Sequence, residues 1–489
     1  MTNIQTIINE LSPLDYKNIK NQKCDSVTYD SRKAISNSVF VAIRGFKVDG
    51  HKFIPSAIEN GCTTIVCENY PENIDPNIAF IRVSDSREAL GICSKTIYDD
   101  FSDKMPLIGI TGTNGKTSST YLLQGLFETA GEKIGFIGTN GVHTDGVTTP
   151  LGNTTPESSE LYKLFSKMHK NGTNYAFMEV SSHATVLKRI QGLKYKVGIF
   201  TNLTEDHLIF HKTMENYYNA KKDFFNSVEH CVINIDDEYG QRLYRELLAE
   251  DKKVYSYSLK KDSDFRAEIL EASLNGSVFR FTCSKGSIDL TLSLPGIFNI
   301  QNALGVIGAG IICGLNLETI KRGFANLKGI PGRFESLETT LACTVILDFA
   351  HTPDGLEKVM QTIEALSSNR KIALFGAQGE RDKARRGQMG KISGKYADIT
   401  ILTEDNPVFE DPKDICLEIA EGVKSENGEF KIIVDRSEAI NYVIKNHLPG
   451  DIIVLAGKST EPYQIVGDKK IPYSERDIAI KALREAEKI

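Results

Sequence analysis

Residues 107–123 read LIGITGTNGKTSSTYLL, and this stretch has the clearest local pattern in the middle of the chain. It begins with an apolar, partly β-branched run, continues through a turn that contains Gly112 and Gly115, and then opens a helical pattern at Lys116 and Thr117. A strand, a glycine-rich turn and a helix that begins with Lys-Thr are typical of a loop that binds phosphate groups. The stretch therefore predicts a nucleotide site between a strand and a helix.

The loop departs at one position from the general pattern of phosphate-binding loops, because Ile110 stands where that pattern has its first glycine. The remaining glycines still let backbone N–H groups point at phosphate oxygens, while Lys116 can contact the outer phosphates and Thr117 can bind Mg²⁺. A plain tight connection is the alternative, but the Lys-Thr pair and the preceding strand favour nucleotide binding. The predicted nucleotide-binding residues of the loop are Thr111, Gly112, Thr113, Asn114, Gly115, Lys116 and Thr117.

Composition places the chain among ordinary globular proteins. Of its 489 residues, 40% are hydrophobic and 25% are charged, and the net charge of -6 argues against binding of nucleic acid. The N-terminus lacks a basic start followed by an apolar segment, and the longest apolar run is too short to cross a bilayer. We therefore expect a cytoplasmic protein without membrane insertion. Nine cysteines without a Cys-x-x-Cys pair predict reduced thiols rather than disulfides or structural zinc.

The chain divides into three predicted α/β domains. Residues 1–103 contain short strand-like runs such as SVFVAIRG between helical segments, which predict a small α/β domain. Residues 104–333 contain strands that are apolar nearly throughout, as in a parallel sheet covered on both faces, and then an alternating stretch that predicts an appended antiparallel sheet over residues 265–295. Residues 334–489 repeat a strand followed by a helix, which predicts a Rossmann-like doubly wound sheet.

Polar residues follow two of the middle strands. Glu179 ends the apolar run of MEVSSHA, and Asp206 and His207 come just after another apolar run. Because the carboxyl ends of parallel strands meet at one edge of a sheet, these side chains are expected beside the phosphate loop, where a carboxylate and an imidazole suit Mg²⁺. Taken singly, each of these residues is more simply explained as a solvated side chain or a helix cap. Asn302, further along the chain, is also more simply explained as a helix cap.

The motifs TYDSRKA, VDGHKFI, GITGTNGKT, GNTTPE, MEVSSHA, TNLTEDHLIFHKTMENYYNAKKDFF, GIFNIQNAL, PGRFE and DFAHTPDG follow one another over nearly the whole chain. Their order and spacing resemble those of the Mur ligases, which build bacterial peptidoglycan precursors. Within that family, TTPE and DNP are similar to the UDP-N-acetylmuramoyl-tripeptide synthetases, the MurE type. The resemblance implies an N-terminal UDP-sugar-binding domain, a central P-loop ATPase-like domain and a C-terminal Rossmann-like domain that binds an amino acid.

The resemblance also implies a reaction. In this family a D-glutamyl carboxylate of the acceptor attacks the γ-phosphate of ATP, and the amine of the incoming amino acid displaces phosphate from the resulting acyl phosphate. The catalytic residues implied are Lys116, Glu179, His207 and Lys221. One Mg²⁺ would be held by Thr117 and Glu179 between the outer phosphates. A second would be held nearer the acceptor carboxylate by Glu179, His207 and Lys221, the last as a carbamate formed with carbon dioxide. Without the resemblance, Lys221 and Lys222 would be explained as a solvated pair on a helix.

Further contacts are implied in all three domains. For the nucleotide they are Asn299, Arg333, Asp348 and His351. For the acceptor UDP-N-acetylmuramoyl-L-alanyl-D-glutamate they are Ser31 at the uridine end and Asn153, Thr154, Thr155, Ser181 and Arg189 at the peptide end. Leu187 stands where many relatives have Gln, so one hydrogen bond to the acceptor is missing or is supplied by another group.

For the incoming amino acid, the resemblance implies contacts with Arg381, Asp405, Asn406, Gly457 and Glu461. A planar guanidinium such as that of Arg381 matches an α-carboxylate. Members that add meso-diaminopimelate carry Arg after DNP, where it pairs with the second carboxylate of that substrate, and this chain has Val408 there. A buried carboxylate without a cation is costly, so Val408 favours L-lysine. Arg385 or Arg386 could supply the missing charge, so ornithine and meso-diaminopimelate stay open.

Two alternatives to this ligase are weighed. A folylpolyglutamate synthetase-like ligase shares the loop and the acyl-phosphate chemistry, but it is not expected to contain the N-terminal DSR and DGHKFI motifs or the DNP motif. A regulatory ATP-binding relative without catalysis is disfavoured by the presence of Lys116, Glu179, His207 and Lys221. We expect a monomer whose partners are the nucleotide-linked acceptor and a free diamino acid, with no nucleic acid bound.

Overall fold

The structure is a computed structural model, and it describes residues 1–45 and 48–488. It contains three main β-sheets, of five, eleven and six strands, which lie within residues 15–82, 107–292 and 335–456 respectively. This is the three-domain α/β architecture that the sequence predicts, while the boundaries after residues 103 and 333 stay predictions. Over the described residues, no helix is both long enough and apolar enough for a membrane crossing. The nine cysteines are free thiols.

The N-terminal block has a five-stranded sheet in the order β2-β7-β6-β5-β4, in which β4 to β7 are parallel and β2 is an antiparallel edge. Every residue of β5 and β6 is buried, because helices cover both faces of the sheet. The elements are β1 (Thr2–Asn3), α1 (Ile4–Leu11), β2 (Asp15–Lys17), β3 (Lys23–Cys24), β4 (Ser26–Thr28), β5 (Ser38–Val41), α2 (Ile54–Glu59), β6 (Thr64–Cys67), β7 (Ala79–Arg82) and α3 (Ser86–Tyr98), with 3-10 turns at Ser31–Lys33 and Gly50–Phe53.

The middle block is built on the eleven-stranded sheet. Its strands are β8 (Leu107–Thr111), β9 (Ile134–Gly138), β10 (Gly141–Thr144), β11 (Val147–Thr149), β12 (Tyr175–Glu179), β13 (Tyr195–Phe200), β14 (Val228–Asn234), β15 (Lys253–Ser258), β16 (Phe265–Ser273), β17 (Gly276–Cys283) and β18 (Gly286–Leu292). Its helices are α4 (Lys116–Thr129), α5 (Ser158–Lys170), α6 (Ser182–Val186), α7 (Leu208–His211), α8 (Met214–Phe224), α9 (Glu238–Ala249), α10 (Ile297–Ile312) and α11 (Leu317–Asn326), with a 3-10 turn at Phe225–Ser227.

The strand order of this sheet is β11-β10-β9-β12-β8-β13-β14-β15-β16-β17-β18. Strands β9, β12, β8, β13, β14, β15 and β16 are parallel neighbours, and the strands outside them are antiparallel. The predicted antiparallel segment is therefore present, but it continues the parallel sheet through β16 instead of forming a sheet of its own. Strand β8 lies at the centre, between β12 and β13, so the turns after these three strands meet at one edge.

The C-terminal block has the six-stranded sheet, in the order β19-β20-β24-β21-β22-β23, in which all strands except β19 are parallel. The predicted repeat of strand and helix is present, and a hairpin formed by Tyr463–Val466 and Lys469–Pro472 follows the last strand of the sheet. The elements are β19 (Glu335–Leu337), β20 (Thr344–Asp348), α12 (Pro353–Leu366), β21 (Lys371–Phe375), α13 (Ala384–Tyr396), β22 (Ile399–Leu402), α14 (Pro412–Ser425), β23 (Phe430–Ile432), α15 (Arg436–Lys445), β24 (Ile452–Ala456), β25 (Tyr463–Val466), β26 (Lys469–Pro472) and α16 (Glu475–Ala486).

Two neighbouring glycines in the middle sheet make room for the end of helix α8. Gly109 of β8 pairs with Gly198 of β13, and a Cβ atom on either would lie 2.5 Å or 3.0 Å, respectively, from the ring of Phe224. Phe224 is fully buried, and Lys221 lies one helical turn before it on the same face of α8. The absence of side chains at Gly109 and Gly198 therefore sets how closely α8 packs on the sheet, and this in turn sets the position of Lys221.

Replacing Gly109 by alanine should lower the free energy of unfolding of the protein by about 1–3 kcal/mol, because the added methyl group overpacks the seat of Phe224. Urea unfolding measures the change. Gly387→Ala in helix α13 is the matched control, since its Cβ meets nothing within 4 Å and the change should be neutral or slightly stabilising. A Gly109→Ala protein as stable as the control would contradict this account of the packing.

Candidate functional site

A cavity of about 590 Å³ lies where the carboxyl ends of the middle strands face the C-terminal block. Both blocks line it, and most of the residues predicted from the sequence come together here. Those that line it are Gly112, Thr113, Asn114, Gly115, Lys116, Thr117, Asn153, Thr154, Thr155, Glu179, Ser181, Arg189, His207, Lys221, Arg333, Asp348, His351, Arg381, Asp405, Asn406, Gly457 and Glu461. We call this cavity the central cleft.

Three predicted residues are not among those that line the central cleft. Thr111 is buried inside β8, where its hydroxyl donates to the carbonyl of Val180. Asn299 is buried in the first turn of α10, and its Nδ2 donates to the carbonyl of Pro295 at 2.8 Å. Ser31 begins the 3-10 turn of the N-terminal block. The ligand contacts expected of these three side chains stay predictions.

Helix α10 changes the interpretation of Asn302. The sequence pattern favours a helix cap at Asn302. The helix begins at Ile297 after Gly296, so Asn302 lies inside the helix and does not cap it. Asn302 instead lines the central cleft beside the phosphate loop, and a Cβ on Gly115 would come within 2.3 Å of its Oδ1. The helix begins directly after the Pro-Gly turn at residues 295–296, which puts Asn302 in its second turn.

The phosphate loop is held in shape by its glycines and by the end of β13. Gly112 and Gly115 have φ values of 154° and 90°, and a Cβ on Gly112 would meet Thr201 Oγ1 at 1.9 Å. Thr201 Oγ1 donates to the carbonyl of Asn114 at 2.6 Å, and the N–H of Asn114 donates to Asn202 Oδ1 at 3.0 Å. Strand β13 therefore fixes a loop whose N–H groups precede the N-terminus of α4, the arrangement that binds phosphate.

Lys116 and Lys221 converge on this loop from different helices. The ammonium group of Lys116 donates to the carbonyls of Gly112 and Thr113, each at 2.8 Å, and that of Lys221 donates to the same Gly112 carbonyl at 2.8 Å. Lys221 is only 2% exposed. Burial, and then the neighbouring Lys116, hold the pKa of Lys221 well below its ordinary value. Lys221 therefore loses its proton more readily than an exposed lysine does.

Glu179 is fixed at the end of β12 by Thr139. The N–H of Thr139 donates to one carboxylate oxygen at 3.0 Å, and its hydroxyl donates to the other at 2.9 Å. Gly138 allows this approach, because a Cβ there would lie 2.3 Å from Glu179 Oε1. Thr139 was not singled out from the sequence, since only the fold brings the end of β9 beside that of β12.

His207 has the left-handed backbone conformation, with φ at 56°, just before helix α7. Its ring lies edge-on to that of His183, 4.9 Å away, and its Nε2 is 3.4 Å from Asp206 Oδ2. Burial lowers the pKa of His207 despite the opposing charge of Asp206. The neutral imidazole is the form that can bind a metal ion.

The donor set of the cleft fits Mg²⁺ with help from phosphate oxygens. Within residues 1–45 and 48–488, no three His, Cys, Asp or Glu side chains are close enough together to hold a metal by themselves. A hydroxyl from Thr117, the carboxylate of Glu179 and the imidazole of His207 nevertheless line one cleft with the phosphate loop. Mg²⁺ typically takes a few protein ligands and completes its shell with phosphates and water.

The middle and C-terminal blocks contact each other across the central cleft. Arg333, at the junction of the two blocks, donates through Nη2 to Thr117 Oγ1 at 3.1 Å, and Arg385 Nη1 of the C-terminal block lies 3.3 Å from Asp206 Oδ1. Asn114 Nδ2 also donates to the carboxylate of Asp354 at the start of α12. The phosphate loop and the residue next to His207 are therefore in direct contact with the C-terminal block.

The far end of the cleft is an internally paired charge cluster. Lys458 is fully buried and donates to Asn406 Oδ1 at 2.6 Å and to Glu461 Oε2 at 2.7 Å, while Asp405 Oδ1 is 3.7 Å away. The Asn406 amide in turn donates to Glu461 Oε2 at 3.0 Å. Lys458 was not predicted from the sequence, because a lysine two residues after a strand is ordinarily solvated.

Arg385 and Arg386, which could replace a cation at position 408, both form ion pairs with carboxylates of the protein. Arg386 is buried and pairs with Glu410 and Glu418, each at 2.8 Å, while Arg385 pairs with Asp206. Val408 itself has a left-handed φ of 57°, and its N–H donates to the carbonyl of Ile465 in β25. A β-branched residue in this conformation is strained.

The sequence was compared with models of protein families and with individual proteins. Models described as "Mur ligase family, catalytic domain", "Mur ligase middle domain" and "Mur ligase, glutamate ligase domain" match residues 23–98, 110–310 and 332–459. The UDP-N-acetylmuramoyl-L-alanyl-D-glutamate–2,6-diaminopimelate ligase 1 of Clostridium acetobutylicum is 42% identical over 95% of this chain and 96% of its own length. The corresponding ligase of Clostridium tetani is 42% identical over 94% of this chain and 95% of its own length.

A solved structure of a UDP-N-acetylmuramoyl-L-alanyl-D-glutamate–2,6-diaminopimelate ligase matches with a TM-score of 0.71 and 28% identity, and 99% of each chain is covered. The names of these relatives contain 2,6-diaminopimelate, so they do not support the preference for lysine that Val408 suggested. The predicted family is confirmed by the length of the matches and by their identity. The chain belongs to the Mur ligase family.

Proposed function

We propose that the chain is an ATP-dependent ligase that joins a diamino acid to UDP-N-acetylmuramoyl-L-alanyl-D-glutamate in the synthesis of peptidoglycan precursors. One observation carries the proposal. The phosphate loop, the group Glu179, His207 and Lys221, and the charge cluster around Asp405 and Glu461 all line one cleft. A nucleotide phosphate, an acceptor acid and an incoming amine would therefore meet in a single place.

The reaction proceeds in two displacements. A carboxylate oxygen of the D-glutamyl group attacks the γ-phosphorus of ATP, the bond from phosphorus to the bridging oxygen breaks, and ADP leaves. The amine of the diamino acid then attacks the acyl carbon, phosphate leaves and the amine proton is lost. Lys116 and the loop N–H groups would hold the phosphates, and Arg333 would approach them from the C-terminal side.

Mg²⁺ would be held by Thr117, Glu179, His207 and a carbamylated Lys221, and it would neutralise charge that develops on the phosphates. Carbamylation joins the nitrogen of the neutral amine to the carbon of carbon dioxide with loss of one proton, which turns a cation into an anion. Burial and the lowered pKa of Lys221 support this chemistry. The same pKa shift disfavours a charged lysine at this position.

The acceptor and the nucleotide would make further contacts. Asn153, Thr154, Thr155, Ser181 and Arg189 line the part of the cleft beside Glu179 and would hold the peptide end of the acceptor. Ser31 would contact the uridine end. Asn299, Asp348 and His351 would contact the nucleotide. Because one chain supplies all these residues, we propose that a monomer is sufficient. We also propose a cytoplasmic reaction, because its substrates would be ATP and a nucleotide-linked acceptor.

Two diamino acids are the leading candidates for the incoming substrate, and ornithine is a third. The printed names of the relatives favour 2,6-diaminopimelate, which is the first candidate. Val408 favours L-lysine as the second, because Arg385 and Arg386 are engaged in other ion pairs and leave a second carboxylate without a cation. Ornithine lacks that carboxylate too. In either case Arg381 would bind the α-carboxylate, and Asp405, Asn406, Gly457 and Glu461 would surround the distal amine.

Phosphate release from ATP should require both the acceptor and a diamino acid. The acyl phosphate forms only on the acceptor, and turnover continues only when an amine displaces the phosphate. A coupled phosphate assay with each substrate omitted in turn measures this requirement. Equal ATP hydrolysis when either substrate is omitted would rule out a ligase, and a regulatory ATP-binding protein would then be the better description.

Lys221→Ala should lower the rate of ligation by about a thousandfold or more, because a metal ligand and several kcal/mol of transition-state stabilisation are lost. Lys222→Ala on the same helix is the matched control, since Lys222 pairs with Glu246 and Glu250 at the surface. A carbamate resonance should appear in ¹³C spectra of protein kept in ¹³C-bicarbonate, and Lys221→Ala should remove it. A fully active Lys221→Ala enzyme would refute the carbamate.

Val408→Arg should raise the ratio of kcat/KM for meso-diaminopimelate to that for L-lysine by roughly tenfold to a hundredfold. A hydrogen bond to a charged group contributes ~1.5–3 kcal/mol, and the second carboxylate would gain one. Val408→Gln is the control of similar length without the charge. An unchanged ratio in Val408→Arg would show that position 408 does not set the selectivity.

A further inference from the structure

A buried carboxylate beside the acceptor end of the central cleft has no role in the function proposed above. Glu157 is the residue before helix α5 and is 7% exposed. Its Oε1 accepts a hydrogen bond from Arg189 Nε at 3.0 Å, and Arg87 Nη1 lies 3.4 Å from Oε1 and 3.3 Å from Oε2. We call Arg87, Glu157 and Arg189 the acceptor network.

The acceptor network fixes the guanidinium of Arg189. Besides its bond to Glu157, Arg189 donates through Nη1 to the carbonyl of Thr155 at 3.0 Å. Thr155 is itself held, because its hydroxyl donates to the carbonyl of Glu179 at 2.8 Å. Arg189 lines the cleft with donors to spare, since a guanidinium carries five N–H groups. The direction in which these donors point is set by Glu157.

The network also reaches the N-terminal block. Arg87 lies in the first turn of helix α3, and it donates as well to the carbonyl of Leu187 at 3.4 Å. Two further ion pairs join the same helix end to the same turn, since Lys188 lies 2.9 Å from Asp85 and 2.6 Å from Glu88. The position of Arg189 is therefore tied to how the N-terminal block docks on the middle block.

The remaining donors of Arg189 point to an anionic ligand. Arg189 pairs with Glu157 through Nε and with the carbonyl of Thr155 through Nη1, and it lines the cleft, where its other N–H groups can take a further acceptor. Buried charges are costly unless they are paired, and a carboxylate or a phosphate oxygen is the usual partner of arginine. A carboxylate from the peptide end of the acceptor, placed against Arg189, would be such a partner.

We infer that Glu157 is a positioning residue that aims Arg189 at a carboxylate of the acceptor and, through Arg87, makes this aim depend on the docked N-terminal block. The inference rests on the proposed function, because that function supplies the acceptor. It concerns binding of the acceptor only. ATP and the incoming amino acid bind to other parts of the cleft.

The test measures steady-state kinetics of the full-length Glu157→Gln enzyme with each of the three substrates varied in turn. Gln keeps one acceptor oxygen and removes the charge. The KM for the acceptor should rise by about tenfold or more, while the KM values for ATP and the amino acid stay within about twofold of those of the unchanged enzyme. A structural defect alone would affect the three substrates together, so the selective change in one KM identifies positioning.

Two further variants keep the result decisive. Lys188→Ala removes ion pairs to the same helix without touching Glu157, so an acceptor KM raised as much as in Glu157→Gln would overturn the assignment to Glu157. Arg87→Ala leaves the pair of Glu157 with Arg189 and should raise the acceptor KM by a smaller factor. If Glu157→Gln does not fold, Arg87→Ala decides, and an unchanged acceptor KM would overturn the inference.

Kinetics of the unchanged enzyme distinguish a failure of the proposed function from a failure of the role of Glu157. If it turns over the acceptor and Glu157→Gln has an acceptor KM within about twofold of it, only the role of Glu157 is overturned. If the unchanged enzyme does not turn over the acceptor at all, the proposed function fails, and the role of Glu157 fails with it.

Discussion

Two lysine side chains share one backbone carbonyl in this protein, and the rest of the site depends on that constraint. The amines of Lys116 and Lys221 both donate to the carbonyl of Gly112 at 2.8 Å. Two ammonium groups held so close in a buried place repel each other. Burial lowers the pKa of both lysines, which relieves this repulsion. The shift is larger for Lys221, the more deeply buried of the two. Lys221 therefore gives up its proton more readily than Lys116 does.

The fold produces this convergence through the order of its strands. The loop that follows β8 lies between the ends of β12 and β13, which carry Glu179 and the approach to His207. Helix α8 reaches the same place because its last residue, Phe224, is seated on the glycines of β8 and β13. Glu179, His207 and Lys221 are thus brought to the phosphate loop by the central three strands and by the helix that packs on them.

Much of the fold and of the cleft could be predicted from the sequence because the signals are local. The apolar strand runs and the turn with Gly112 and Gly115 are read within short windows, and the ordered motifs supplied the family. What the sequence could not supply are contacts between distant segments. Thr139 and Lys458 were missed because each looks like an ordinary polar residue after a strand, and only the fold brings Thr139 beside Glu179 and Lys458 beside Asn406.

Contacts between distant segments also bear on which diamino acid the protein would select. Lys458 already neutralises part of the negative charge of Asp405 and Glu461, so the cluster still favours one more positive group, such as a distal ammonium. A second carboxylate on the substrate would need an additional cation close by. Because Arg385 and Arg386 are committed to other carboxylates, side chain 408 is the position at which that cation can be gained or lost. The N–H of Val408 donates to the carbonyl of Ile465 in β25, and this bond holds the left-handed backbone of Val408 two residues after Asn406, which lines the cleft. This placement, together with the pairing of Arg385 and Arg386, is the basis on which we propose that position 408 sets the selectivity between lysine and diaminopimelate.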